Sequence, residues 1–321
     1  MAALVVVLIF GLTTTIIPIN LAAPSDTVFS VVWITDTQFL SQSYPNDFDT
    51  ACNWIVNNAA SLNLKAVIHT GDLTNNAADY EWTNAGHSMG LLLNNNITYC
   101  WCAGNHDSYV ATNYPAFSTT IMRGKPYWVS DYNSGMNTAI SFNYSNQNFL
   151  IIDIEYQADN SVLQWANNLL NSHPSSSVII GTHAYLDAEA GYDSWATNFK
   201  ATVLDTHPNV FLTLNGHFHP AGLYASRTKV GNRDELFFNR QDQDGYEGAA
   251  TIRLLKFDAT INTITVTTYN TLQNSLLTDS DNQFTLIPST PIPEFPSWII
   301  LPFFIMATVL VVLAFGKKRD R

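Results

Sequence analysis

Five short clusters of residues could do chemistry together. They are Asp36-x-Gln38, Gly71-Asp72, Gly104-Asn105-His106-Asp107, His183, and Gly216-His217-x-His219. Carboxylate and amide oxygens with imidazole nitrogens make up the ligand set that hard and borderline divalent metals prefer. Two such metals about 3.5–4 Å apart can hold a hydroxide between them and clamp a phosphoryl group. One carboxylate has to bridge the pair, and the neighbouring glycines allow the tight turns through which ligands converge.

The elements that must position these groups can be read from the chain before each cluster. Apolar, β-branched runs at 29–34, 66–70, 97–102, 178–180 and 210–214 each end at one of the clusters, and a further run at 149–152 ends at Asp153. Runs of this length bounded by glycine predict buried strands. Windows 48–62, 79–93 and 161–170 have apolar residues at helical spacing, Phe48, Cys52, Ile55, Val56 and Ala59 among them. Alternating strands and helices predict an α/β layered fold with functional groups at strand C-termini. Residues 251–257 and 263–269 read as strands joined by a turn at 258–262, a hairpin expected to close a second, more antiparallel sheet.

In order and spacing the five clusters resemble the calcineurin-like metallophosphoesterases, over about residues 30–270. The resemblance implies a four-layer α/β/β/α sandwich of two mixed sheets flanked by helices. It also implies a hydrolase of phosphoric esters that carries two divalent metal ions (Mn, Fe, Mg, Zn or Ca). Carried over residue by residue, Asp36, Gln38 and His219 would hold one metal, and Asn105, His183 and His217 the other. Asp72 would bridge both and anchor the catalytic hydroxide that attacks phosphorus. His106 would sit over the phosphate as the second catalytic residue, stabilising charge or protonating the leaving oxygen. Asn75 and Asp107 would support these groups. Outside the family's clusters, Arg240 is a candidate by its own chemistry for contact with the substrate phosphate.

Two positions depart from the family pattern. Its first cluster usually ends in His, where this chain has Gln38. A neutral amide oxygen favours Mn²⁺, Mg²⁺ or Ca²⁺ over iron. The position at which the family's phosphatases place an Asp to orient the catalytic His is Asn75. An amide orients an imidazole without stabilising its cation, so His106 is expected to act more as a hydrogen-bond donor than as a strong acid.

Other candidates have plainer readings. His69 reads as a core residue, and His87, His173 and His207 carry no assigned chemistry. Asp153 and Glu155 read either as supports of the site or as surface acids. Residues 239–245 have a faint calcium-loop look with incomplete spacing, and read as a solvated loop. The three cysteines read as buried thiols, because Cys100 and Cys102 cannot bridge along one strand.

The ends differ from the body. Residues 1–23 carry no charge, contain the apolar run Ala2 to Phe10, and end in Ala22-Ala23, which predicts an export signal cleaved near Ala23. A catalytic domain at 24–287 follows, then a proline-rich linker at 288–297 that reads as a stiff extended spacer. Residues 298–316 are uncharged and, as a helix, would span roughly 30 Å, enough for a bilayer core. Residues 317–321, Lys-Lys-Arg-Asp-Arg, form a basic tail expected in the cytoplasm. Pro293-Glu294-Phe295-Pro296 before that segment resembles the PEF-type sorting signals of archaeal surface proteins, which would replace the helix by another anchor. The sequons Asn96-Ile97-Thr98 and Asn143-Tyr144-Ser145 are compatible with export.

Charge excludes more than it identifies. The chain has 14 Lys plus Arg against 26 Asp plus Glu, a net charge of −12. The last five residues carry four positive charges and one negative, so the remainder stands at −15. Such a surface repels long nucleic acid, while metals can still bind small phosphates. Charged residues are only 12% and aromatics 12%, which argues for a packed core and against disorder. The expectation is an exported, membrane-tethered phosphoesterase acting on phosphomonoesters or phosphodiesters. The alternatives are a surface module of the same fold with little or no catalysis, and a nucleotidase for small nucleotides. Selectivity is expected in the loops at 108–132, 184–200 and 222–243, and nothing in the chain speaks to an oligomer.

Overall fold

The computed structural model describes residues 27–145 and 147–289. The predicted export signal, membrane segment and basic tail, with all but the first two linker residues, lie outside them. Among the described residues no helix is long and apolar enough to cross a membrane.

The chain runs through β1 (Val28–Ile34), α1 (Gln38–Ser43), α2 (Pro45–Asn58), β2 (Leu64–His69), α3 (Asp79–Asn94) and β3 (Tyr99–Trp101). It continues through α4 (Thr119–Met122), β4 (Trp128–Tyr132), β5 (Asn137–Tyr144), β6 (Gln147–Ile154), α5 (Asn160–Ser172), β7 (Ser177–Thr182), α6 (Ser194–Phe199) and β8 (Val210–Asn215). The last elements are β9 (Ala225–Val230), β10 (Arg233–Phe238), β11 (Thr251–Asp258), β12 (Thr263–Asn270), β13 (Ser275–Leu277) and β14 (Gln283–Leu286).

These strands form two seven-stranded sheets. One is ordered β13-β12-β11-β1-β2-β3, with β14 also on β12; the other is ordered β4-β5-β6-β7-β8-β10-β9. In the first sheet β1, β2 and β3 run parallel. In the second, β6, β7, β8 and β10 do. The predicted α/β layering holds, with mixed sheets and helices on their outer faces.

Alternation along β1 explains the layers. Phe29, Val31 and Trp33 point between the sheets and pack with Ile151, Ile179 and Leu214. Val32 and Ile34 point outward, against Phe48, Cys52 and Ile55 of α2 and Trp82 and Met89 of α3. On the far side Val162 and Ala166 of α5 and Phe199 of α6 cover Leu150, Ile152 and Ile180. Each such large side chain contributes about 1.5–3 kcal/mol on full burial.

The 251–269 hairpin corrects one expectation. It does not close a second sheet: β11 lies antiparallel to β1, with Phe29 opposite Phe257, and so extends the first sheet. The two rings stack at 4.5 Å and 6°. A hairpin's own residues specify its turn, whereas its partner depends on which strand edge is free, a nonlocal matter.

Candidate metal centre

All five clusters lie beyond the C-terminal ends of parallel strands, where the two sheets' loops meet. Asp36 follows β1, Asp72 follows β2, Asn105 follows β3, His183 follows β7 and His217 follows β8. Asp36, Asp72 and His217 have left-handed backbone, with φ of 53°, 54° and 74°. Such residues are uncommon in this region and cost of order 1 kcal/mol or more each. Here the turn aims each side chain back over its strand end.

The predicted second metal set converges. His183 Nε2 lies 2.9 Å from Asn105 Oδ1, 3.3 Å from Asp72 Oδ2 and 3.2 Å from His217 Nδ1. Its other nitrogen, Nδ1, donates to the Thr70 carbonyl at 2.9 Å, which leaves Nε2 as the ligand atom of the neutral ring. One Nε2–H cannot serve three acceptors, whereas a cation among these atoms would. Asp36, Asp72 and His183, all buried, bring one ligand atom each within 4.8 Å of one another.

The first set is partly assembled. Gln38 is 2% exposed; its Nε2 donates to Asp72 Oδ2 at 3.3 Å and its buried Oε1 has no hydrogen-bond partner. An orphaned buried amide oxygen is costly by about 1–3 kcal/mol, and a hard cation would satisfy it. Asp36 is held by a relay in which Trp33 Nε1 donates to Thr70 Oγ1 at 2.9 Å and Thr70 donates to Thr35 Oγ1 at 2.7 Å. Thr35 then donates to Asp36 Oδ2 at 2.6 Å. His219 is exposed and stands apart, with Nδ1 2.7 Å from Asp242 Oδ2. A carboxylate on one ring nitrogen leaves the other for a metal. The donor set therefore fits two divalent cations of the hard or borderline kind.

The electrostatics carry the same message. Burial pushes the Asp36 carboxyl up to about 7, partly offset by His183 and reinforced by Asp72. Burial also opposes charge on Asp72, but His183 beside it holds the carboxyl below the usual range. His183 is driven the other way: burial disfavours its cation, yet Asp72 and Asp36 outweigh that and raise it to about 9. Burial, aided by His183, lowers His217 to about 4. Two buried acids thus share a proton-bearing imidazole in the place where cations would neutralise them.

Close glycines complete the cradle. A Cβ on Gly104 would lie 2.0 Å from Asp72 Oδ1 and 2.4 Å from Asp72 N, and one on Gly216 2.0 Å from Asp36 Oδ2. Gly104→Ala should destabilise by roughly 2–3 kcal/mol and weaken metal binding. Gly90→Ala in α3, where nothing lies within 4 Å, should instead stabilise by about 0.5–1 kcal/mol. Thermal unfolding with metal titration checks the pair.

His106 borders this centre through its backbone. Its backbone N–H donates to Asp72 Oδ1 at 3.0 Å, and its ring Nδ1 is 2.8 Å from the main-chain oxygen of Asn75. This refines the role expected for Asn75, whose backbone carbonyl orients the ring. A carbonyl only accepts, so Nδ1 carries the proton and the neutral ring presents a bare Nε2; the ring donates from Nε2 only as its cation. Asn75→Ala should keep kcat within about threefold, while His106→Ala should lower it about 10²-fold or more. A comparable loss in both variants would refute the carbonyl's role.

Asp107 joins two of the clusters. Its carboxylate accepts from the N–H groups of Leu73, Thr74 and Gly104 and from Thr74 Oγ1, at 2.7–3.0 Å, tying the second cluster to the third. Arg240 is 7% exposed, pairs with Asp244 at 2.7 Å and covers the Tyr224 ring at 4.4 Å. Its loop is not simply solvated, since Asn239, Arg240 and Gln241 are buried. Asn239 Nδ2 donates to the His217 carbonyl at 3.2 Å, and Asp242 holds His219. This support was missed in the sequence; its signal was a run of acids and amides following the apolar pair Phe237-Phe238. Tyr156 was missed as well, its ring centroid 5.0 Å from that of His217.

Asp153 and Glu155 are not surface acids. Asp153 is buried between the sheets against Gly181, and Glu155 accepts from Asn133 at 3.0 Å. His69 is a core residue 2.9 Å from Thr37 Oγ1, and burial lowers it to about 3. All three cysteines are free and buried.

Two mixed sheets that gather acids, an amide and histidines at their strand ends define a dimetal phosphoesterase fold. Residues 29–221 match the calcineurin-like phosphoesterase (Metallophos) family, and the chain belongs to that family. It is 30% identical over 261 residues to uncharacterized protein YvnB of Bacillus subtilis (strain 168), covering 77% of this chain. The match spans about a fifth of the length of that relative, 20%. The fold is shared with a dimetal phosphatase from Danio rerio at a TM-score of 0.54 and 13% identity, covering 82% of this chain and 99% of that one. It is also shared with GAP50, the anchor in the inner membrane complex of Plasmodium, at 0.55 and 10% identity, covering 84% and 91%.

Proposed function

We propose that this protein is a dimetal phosphoesterase held outside the cytoplasm at a membrane, hydrolysing phosphomonoesters or phosphodiesters. The observation that carries the chemistry is the convergence of Asn105, Asp72 and His217 on His183 Nε2, beside the orphaned Gln38 oxygen. Asp36, Gln38 and His219 would hold one cation, Asn105, His183 and His217 the other, with Asp72 between them. Bound there, divalent cations supply a nucleophile from water at neutral pH and neutralise the phosphoryl oxygens. The chain's own residues do the rest. His106, oriented by the Asn75 carbonyl, faces the substrate and donates a proton or hydrogen bond to the departing oxygen from Nε2. Asp107 and the Trp33–Thr70–Thr35 relay keep the ligands in place before substrate arrives. Gln38 in place of an imidazole favours Mn²⁺, Mg²⁺ or Ca²⁺. The membrane tether rests on the uncharged segment 298–316 with its basic tail, and export on residues 1–23.

The test is hydrolysis of p-nitrophenyl phosphate and its bis-ester by the full chain with Mn²⁺, together with recovery of the protein in the membrane fraction. Metal-dependent turnover of at least one ester is expected. A protein that binds two metals and turns over neither favours the second reading, a surface module of this fold. The fold shared with GAP50, described as an anchor, is the observation on that side.

A further inference from the structure

A cavity of about 480 Å³ opens directly off the metal centre, with His217 and His219 forming one wall. The loop after β7 lines it with Asp187, Ala188 and Glu189, and Phe218 and Pro220 supply an apolar floor. No Lys or Arg of the described residues lines it. Five of the body's ten Lys and Arg pair with acids elsewhere: Arg240 on Asp244, Arg233 on Glu235, Arg123 on Asp131, Lys229 on Asp234 and Lys200 on Asp205.

The two acids at this cavity differ. Asp187 is the loop's own staple, its Oδ1 accepting from the backbone N–H of Glu189 at 2.9 Å and of Gly191 at 2.7 Å. Glu189 is exposed, and its backbone N–H donates to Asp187. Phe218 is half-buried, edge-on to His217 at 4.9 Å and to Phe237 at 6.0 Å, and lines the cavity.

We propose that this cavity receives the alcohol side of the substrate and that Glu189 makes it select against negative charge there. Resting on the phosphoesterase reading above, this names the substrate class: phosphoesters of largely apolar alcohols, aromatic or alkyl, that carry no negative charge. The metals and His106 deal with the phosphoryl group, whose charge is common to every candidate. Discrimination falls to the wall that meets the remainder of the molecule. An apolar floor gains from burying a ring or chain. A second anionic group, as in a nucleoside polyphosphate or a bisphosphorylated sugar, would meet Glu189 and Asp187 with no cation to offset them.

The test is equilibrium binding of two hydrolysis-inert ligands, phenylphosphonate and 4-carboxyphenylphosphonate, to the Mn²⁺-loaded full chain, measured by calorimetry. The uncharged ring should bind about 3- to 10-fold more tightly, as expected for like charges at a partly solvated distance. Glu189→Lys should shift the ratio of the two dissociation constants by about tenfold toward the carboxylated ligand. Phe218→Ala should weaken phenylphosphonate several-fold more than methylphosphonate. Ratios unchanged within twofold in Glu189→Lys, with both ligands binding, would overturn the cavity assignment and leave the phosphoesterase reading standing. Binding of neither phosphonate to a protein that holds two Mn²⁺ would overturn both.

Discussion

Asp72→Asn should lower metal-dependent kcat/KM on the order of 10³-fold or more and reduce bound Mn²⁺ below two equivalents. Asp72 is the residue that touches both predicted ligand sets. Its Oδ2 is 3.3 Å from Gln38 Nε2 and 3.3 Å from His183 Nε2, while Oδ1 accepts from the His106 backbone at 3.0 Å. Asparagine keeps the volume, so the Gly104 cradle still closes, but it removes the charge that two cations would share. It also turns one oxygen into an NH₂ donor facing the donors Gln38 and His183. Metal analysis and steady-state kinetics decide it. A variant that holds two equivalents and retains a tenth of wild-type turnover would remove Asp72 from the bridging role.

The metal-free protein should lose about 3 kcal/mol of stability between pH 6.5 and 9, and Mn²⁺ should abolish most of that loss. His183 is raised from 6.5 to about 9, because Asp72 and Asp36 outweigh its burial. The folded state therefore holds a proton that the unfolded chain has released, so stability falls as pH rises through this window. Asp36, raised to about 7, acts in the same direction below pH 7. His217 and His69, lowered to about 4 and about 3, act oppositely below 6.5, since burial keeps them neutral while the unfolded chain protonates. The metal-free optimum should thus fall near pH 6–7. For a domain of this size the decline to pH 9 is a drop in Tm of roughly 5–10 °C. Bound cations displace the His183 proton, so the loaded protein should be nearly flat over the window, and Mn²⁺ affinity should rise with pH. Thermal scans with EDTA and with Mn²⁺ at pH 6.5, 8 and 9 test it. A metal-free Tm that holds steady or rises toward pH 9 would refute the buried imidazolium.

Much of the layout was legible because it depends on local pattern. The strands carrying the clusters were predicted within a few residues, since each is a β-branched run ending at a glycine or at a polar ligand. The helices α2, α3 and α5 showed their apolar spacing. The strands that escaped have patterns that mislead. Arg233-Asp234-Glu235 opens β10, yet every residue of that strand is buried. The charges are satisfied partly within the strand, where Arg233 Nε donates to Glu235 at 2.8 Å, and partly from elsewhere: Arg233 Nη2 pairs with Asp205 at 3.0 Å and the Tyr185 hydroxyl donates to Glu235 at 3.0 Å. A reading by hydropathy rejects such a segment, because the cost of burying its charge is offset only by pairings that the fold completes. The same holds for Arg240, whose suitability for phosphate said nothing of its contacts with Asp244 and Tyr224.

What the sequence by itself determined is the kind of ligand and where each sits on its own strand: Asp36, Asp72, Asn105, His183 and His217 each at the end of a strand-forming run. Those are properties of a few adjacent residues, of side-chain chemistry and of glycine beside them. The tertiary structure alone decided which of these meet. His183 reaches Asn105, 78 residues away, because the parallel ends of two separate sheets face each other across the Phe29 and Ile151 core. The same packing placed Asp242 on His219, the Asn75 carbonyl on His106, and Glu189 and Phe218 around the cavity. Contacts of this range follow from how two sheets bury their apolar faces together, and no local pattern encodes that geometry.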